Sequence, residues 1–246
     1  MPPQHVFTPP GTVCASCHNS VIARPLNDAS LACAQPQASE LPTISTTASI
    51  GGAIDDAGGA LASGALTNDN TPELRGTLSA PLGPNQQLAI MRNSVIVGAA
   101  AVSSTAWRFV DATGDGTQRY TARVVNGNGF RPTGNAFTLV VDSTPPTATA
   151  VADFAGNALG AVAISGFMTD TTPRINGTLT GTLAADEAVQ VLRNGGVAGT
   201  ATVGAGGTWS FTEPAALTLG PQTYQARVVD AAGNLGSTSA AATLTL

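Results

Sequence analysis

The chain has 246 residues, with 43% hydrophobic, 4% aromatic and only 10% charged residues, and a net charge of −5. Ten basic residues scattered singly argue against nucleic acid and anionic membrane surfaces as partners, and so few aromatics argue against a platform for stacked bases. No apolar run is long enough to span a bilayer, and a composition rich in Gly, Ala, Thr, Ser and Val suits short strands joined by tight turns.

Residues 1–40 read as a Pro-rich, mostly irregular N-terminal segment. Its start, MPPQHVFTPP, has neither a basic region nor an apolar stretch, so no secretory signal peptide is visible. Within it lies HVFTPPGTVCASCHN, which holds Cys14, Cys17 and His18 in C-x-x-C-H order. Haem c needs two thiols to add to its vinyl groups and a following His to ligate iron. Cys14, Cys17 and His18 meet that order, and His5 is the other His that could take the second axial position. The stretch is similar to the short repeats of multihaem cytochromes, over about 15 residues. Zinc is a competing reading, with Cys14, Cys17 and Cys33 plus His5 or His18 as a Cys₃His set. The third is an irregular leader with free thiols. All three readings stay open on the sequence. The three cysteines all precede residue 41, so residues 41–246 cannot be stapled by disulfides.

The rest of the chain repeats itself. NDNTPELRGTLSAPL (68–82) matches TDTTPRINGTLTGTL (169–183), and Arg92-Asn93 matches Arg193-Asn194, both at an offset of 101. Trp107 and Phe109 match Trp209 and Phe211 at 102, and YTARVVN (120–126) matches YQARVVD (224–230) at 104. Upstream, DDAGGAL (55–61) aligns with DFAGNAL (153–159) at 98. The two copies span 41–141 and 142–246, each near the 100 residues of an immunoglobulin-like sandwich. DSTPP (142–146) joins them, and its prolines predict a short, stiff connection.

Each copy alternates apolar and polar residues with period two, which predicts about seven strands and no helix. Tyr224, Ala226 and Val228 share one face. Val189 and Val191 match Leu88 and Ile90, and Trp209 points inward with Phe211. Gly76 and Gly177, at mid-strand, are expected to leave room for a Trp of the facing sheet. Tyr120 and Tyr224 open late strands, where a sandwich often uses a Tyr hydroxyl that bonds back to the chain. RNGG, GAGG and DAAGN separate the strands as turns.

NDNTPELRGTL, TDTTPRINGTL, the Trp-x-Phe pairs, YQARVVDAAGN and DSTPP together resemble bacterial Ig-like repeats over about residues 45–246. Copy two follows the pattern more closely, and copy one departs from it at VVNGNGF (124–130). The resemblance implies an all-β chain of two tandem Ig-like sandwiches. It also implies a spacer in a large secreted adhesin or biofilm-associated surface protein, at the cell surface or outside it. Its neighbours would be further repeats or copies of itself. The alternative is an electron-transfer protein that carries one haem c on residues 1–40.

Calcium is the other cofactor expectation, at Asp142 in the joint and at Asp153 and Asp230, which begin DFAGN and DAAGN. Asp111 and Asp115 flank a further Gly turn. The competing reading is that Asp and Asn in such turns serve the turn alone. Catalysis has no constellation to stand on, because no His lies within the sandwiches and adjacent Asp186 and Glu187 diverge. Trp107 and Trp209 are expected in the core rather than as sugar platforms.

Overall fold

Alternating apolar positions leave each segment one face to bury, so the segments pair as strands and stack in two layers. A computed structural model describes residues 44–126, 129–130, 134–157, 160–163 and 166–246. Residues 44–246 form one unit. Copy one contains β1 (Ala48–Ile54), β2 (Ala60–Leu61), β3 (Ala65–Thr67), β4 (Glu73–Leu78), β5 (Gln87–Arg92), β6 (Val95–Ala99), β7 (Ala101–Ser103), β8 (Ala106–Val110), β9 (Gly116–Asn126), β10 (Gly129–Phe130) and β11 (Phe137–Val141). Copy two contains β12 (Thr149–Asn157), β13 (Gly160–Ala163), β14 (Arg174–Thr180), β15 (Ala188–Arg193), β16 (Gly196–Thr200), β17 (Thr202–Val203), β18 (Thr208–Thr212), β19 (Pro221–Val229) and β20 (Ala242–Thr245).

One sheet of copy one runs β2-β1-β4-β8-β7 and the other β3-β11-β9-β5-β6, with β10 also on β9. Copy two repeats the plan as β13-β12-β14-β18-β17 and β16-β15-β19-β20. Pairing is antiparallel except where β3 runs parallel to β11. Its counterpart in copy two is a single parallel bridge from Phe167 to Thr245. Each pair of sheets closes over its own core. Leu74, Leu88, Ile90, Trp107 and Leu139 fill the first, and Ile175, Val189, Val191, Trp209 and Leu244 the second. Burying one such aliphatic side chain is worth about 1.5–3 kcal/mol. The chain is all-β, and its one helical turn among the described residues is the short 3-10 segment Ala205–Gly207.

The Trp partner differs from the expectation. Gly76 lies opposite Trp107, and Gly177 opposite Trp209, on adjacent strands of the same sheet. The indole lies across its neighbour's backbone. A Cβ on Gly177 would collide with Trp209 and with the Val151 carbonyl, and one on Gly76 with Trp107 and the Ser49 carbonyl. The glycine therefore makes room within one layer, not between two.

The upstream alignment also changes. Register shifts mark a bulge at Gly51 in β1, between Ile50 and Gly52, and at Asp153 in β12, between Ala152 and Phe154. Ile50 and Ala152 face the equivalent residues Gly76 and Gly177, so the structural offset here is 102 and not 98. Asp153 thus corresponds to Gly51 and sits within a strand, not at the start of a turn.

Gly177→Ala tests the cradle. It should destabilise copy two by about 2–3 kcal/mol, as overpacking against backbone does. Urea unfolding followed by NMR should show resonances of copy two disappearing first, with copy one unchanged.

Candidate functional site

The most elaborate polar arrangement in each sandwich is a buried triad. In copy one, Arg92 closes β5, and its Cα partner across the sheet is Tyr120 on β9. Asp111 follows β8 in the opposite sheet. Tyr120 Oη donates to Asp111 Oδ2 at 2.8 Å, and Arg92 Nη1 donates to the same oxygen at 2.5 Å and to the Ala112 carbonyl at 2.9 Å. In copy two, Arg193 and Tyr224 are cross-strand partners, and Tyr224 Oη donates to Glu213 Oε1 at 2.8 Å. Arg193 Nη1 forms a short charge-assisted bond to Glu213 Oε2. Both Tyr side chains are wholly buried, and Asp111 and Glu213 are nearly so. The hydroxyl therefore bonds to a carboxylate side chain of the facing sheet, and not back to the main chain as the sequence predicts.

Local sequence places each member. Arg92 precedes a two-residue turn of Asn93 and Ser94, both with positive φ, and Arg193 precedes Asn194 and Gly195, likewise positive. Two successive left-handed residues give the turn whose twist matches a hairpin, and Asn tolerates that conformation. The Asn amide then braces the next strand. Asn93 Nδ2 donates to Gln118 Oε1 and Asn93 Oδ1 accepts from Arg119 N. Asn194 does the same to Gln222 and Thr223. The Thr-Pro repeat holds the carboxylate end. Asp69 Oδ1 caps Thr71 N at 2.7 Å and Asp170 Oδ1 caps Thr172 N at 2.9 Å. The Pro72 and Pro173 carbonyls then accept from the Asp111 and Glu213 amides.

The joint is a second polar cluster. Asp115, from the turn after β8, accepts from Ser143 N at 2.8 Å, Ser143 Oγ at 2.6 Å and Thr144 Oγ1 at 2.5 Å. These bonds, with the two hydroxyls foremost, hold its carboxyl below the usual carboxylate range. From the other side, Asn234 Nδ2 donates to the Asp142 carbonyl at 2.7 Å and to Asp230 Oδ2 at 2.8 Å. Copy one thus grips the connection through Asp115, and copy two through Asn234.

The expected calcium residues are only partly brought together. Asp142 and Asp230 share Asn234, while Asp153 accepts from Thr178 Oγ1 on the face of the second sandwich. Asp142 Oδ1 caps Thr144 N, and Asp230 Oδ1 caps Asn234 N. Asp111 turns inward to the triad and Asp115 outward to the joint. Asp69 Oδ2 is a buried oxygen with no hydrogen-bond partner, but no three acidic, Cys or His groups among the described residues gather as a metal site. The Asn234 amide nitrogen meets the Asp142 main-chain carbonyl and the Asp230 carboxylate. Glu187 Oε2 accepts from Ala184 N and so belongs to its own turn. His5, Cys14, Cys17, His18 and Cys33, the haem c and zinc candidates, lie outside the described residues.

Burial, then the hydrogen bond and negative charge of the carboxylate, pushes the Tyr120 and Tyr224 hydroxyls well above their ordinary pKa of 10.0. The folded state keeps these protons after the unfolded chain has lost them. Stability is therefore full below about pH 10 and falls as pH rises beyond it. The chain has two tyrosines, so the near-ultraviolet phenolate signal reports the triads alone. It should appear only together with cooperative loss of the β signal in circular dichroism. Glu213→Ala should cost about 3 kcal/mol in urea unfolding, the lower end of the range for breaking a buried pair. The lower end applies because the Arg193 side chain is 32% exposed while Glu213 is 1%.

Residues 148–246 match a family model described as Bacterial Ig-like domain. No curated protein matches the chain. Among solved structures it is similar to fibronectin(III)-like modules of Clostridium thermocellum CbhA, at 10% identity over 81% of this chain and 94% of that one, with a TM-score of 0.46. It is also similar to the BSP domain of a biofilm associated protein, at 18% identity over 74% of this chain and 28% of that one, with a TM-score of 0.24. A third is the human OSCAR ligand-binding domain, at 16% identity over 74% and 93%, with a TM-score of 0.26. The first sandwich repeats the sheet order of the second, its glycine–tryptophan contact and its polar triad. The second sandwich is similar to bacterial Ig-like domains.

Proposed function

We propose that residues 41–246 act as a spacer of two Ig-like sandwiches in a bacterial cell-surface or secreted adhesin-like protein. The observation that carries this reading is the joint. A spacer must transmit position, so its modules must be closed units and its connections must resist bending. Each sandwich here has its own core, and the connecting segment is hydrogen-bonded from both sides by Asp115 and Asn234. No helix among the described residues is long and apolar enough to cross a membrane. The family match over the second sandwich supports the same reading. In this account the sandwiches carry no catalytic chemistry, and the spacer role by itself requires no ligand.

The N-terminal motif is a separate question of cargo. A chain matured with haem c machinery and purified in denaturant decides it by visible spectrum. A retained Soret band assigns thioether bonds to Cys14 and Cys17, and a colourless chain removes the electron-transfer alternative.

NMR relaxation tests the spacer itself. The two sandwiches should tumble with one shared correlation time, and the double variant Asp115→Ala, Asn234→Ala should give two shorter ones. The depressed Asp115 pKa fixes the sign of the pH dependence. Its contribution is present above its ordinary pKa of 3.8 and is lost as pH falls below that value. Shared tumbling should persist between neutral pH and about pH 5 and weaken only in stronger acid. Independent tumbling of the unaltered chain at neutral pH would overturn the reading.

A further inference from the structure

The outer face of the β4–β8–β7 sheet carries a groove of about 430 Å³ in copy one, and the equivalent face of copy two a groove of about 470 Å³. The two differ in how their charges are arranged: Glu73, Arg75 and Arg108 line the first, and Arg174 is the charged residue that lines the second. In copy one, Arg75 on β4 and Arg108 on β8 are direct cross-strand partners. Like charges placed opposite each other in a sheet are unfavourable. One carboxylate stands between them. Glu73 makes a short ion pair with Arg75 Nε and a long one, at 3.9 Å, with Arg108 Nη1. The Arg108 side chain remains 71% exposed. In copy two the same two positions are Asn176 and Ser210, again direct partners, and Arg174 Nη2 is tied to Ser210 Oγ at 2.9 Å. Asp153, bonded to Thr178 in that groove's wall, adds a negative charge where copy one has Gly51.

The fold therefore does not need the arginine pair, because copy two builds the same sheet without it. Packing does not account for the pair either, since both side chains point to solvent. It makes a local positive site in a chain of net charge −5. Two adjacent guanidiniums, each planar and forked, match an oxyanion in bidentate fashion. Between them and the edge strand the floor is small and uncharged, formed by Ala101, Ala106 and the Ser103 hydroxyl beside the buried Trp107. Such a floor receives the C–H face of a sugar ring. It offers no exposed aromatic for a nucleobase, and the acidic chain around it opposes a long polyanion.

We infer that this groove of the first sandwich binds a carboxylate-bearing sugar, with Arg75 and Arg108 on the carboxylate and Ala101 and Ala106 beneath the ring. The second sandwich is its built-in control. Glu73 competes with the ligand for the same guanidiniums, so removing its charge strengthens binding.

The test uses the full chain and a short oligogalacturonate, followed by isothermal calorimetry and NMR shifts. The expected result is binding that weakens with salt, with shifts at Arg75, Arg108 and the Trp107 indole and none at Trp209. Arg108→Gln, at an exposed position that leaves the melting temperature unchanged, should lose about tenfold in affinity, the scale of a hydrogen bond to a charged group. Glu73→Gln should bind more tightly. Asn176→Arg with Ser210→Arg should create a second site in copy two. Unchanged binding in Arg108→Gln, equal binding of a neutral oligosaccharide, tighter binding of single-stranded DNA, or no binding by the unaltered chain would each overturn the assignment. None of these outcomes bears on the spacer reading, which rests on the joint.

Discussion

The bond on which each sandwich depends is the one from a buried carboxylate to the sheet it faces. Asp111 and Glu213 leave the end of one sheet and are met by an Arg and a Tyr from two adjacent strands of the other. Many small sandwiches join their layers by a disulfide. This chain has no cysteine after residue 40, and the triad links its layers instead. A carboxylate this deeply buried would be costly alone. The guanidinium neutralises it, and the phenol hydroxyl gives it a second hydrogen bond. The cross-sheet bond also fixes which end of the sheets lies over which. The loops at that end, including the Asp115 turn, inherit their positions from it.

The same economy appears at the joint. Asp115 and Asn234 close it with side chains reaching from turns that each sandwich needs anyway. Short polar side chains from two rigid bodies converge there because both turns are anchored, one by the triad and the other by the Asp230 cap of DAAGN. The two copies share a plan but not a surface. Leu219 stands in copy two where Asp115 stands in copy one, and Asn176 and Ser210 stand where Arg75 and Arg108 do. The repeated positions are those the fold uses. The divergent ones face water, where each copy is free to differ.

Much of this was legible in the sequence, and the parts that were not share a cause. The strands around Val189, Trp209 and Tyr224 were legible because a period of two is local and burial follows from it. Arg92-Asn93 and Thr-Pro were visible as repeats, yet their purpose was not. Their partners lie far along the chain, and no local pattern pairs Arg92 with Asp111 or the Pro72 carbonyl with the Asp111 amide. The Trp was rightly assigned to the core but given the wrong neighbour, because alternation fixes a face and not the strand beside it. Asp153 was misplaced because D-x-A-G strings align at several offsets. The bulge in β12 selects among them, and a one-residue shift moves every side chain to the other face.

The sequence by itself determined the all-β class, the two-fold repetition, the inward faces and the turns. Each of these is set by propensity and pattern within a few residues. Only the tertiary structure decided that Tyr120 and Tyr224 meet carboxylates and that Asp142 and Asp230 share an amide. It alone placed Arg75 beside Arg108 while their counterparts stayed neutral. Those are meetings of residues from different strands, and strand pairing and sheet packing, which no local pattern encodes, bring them within reach.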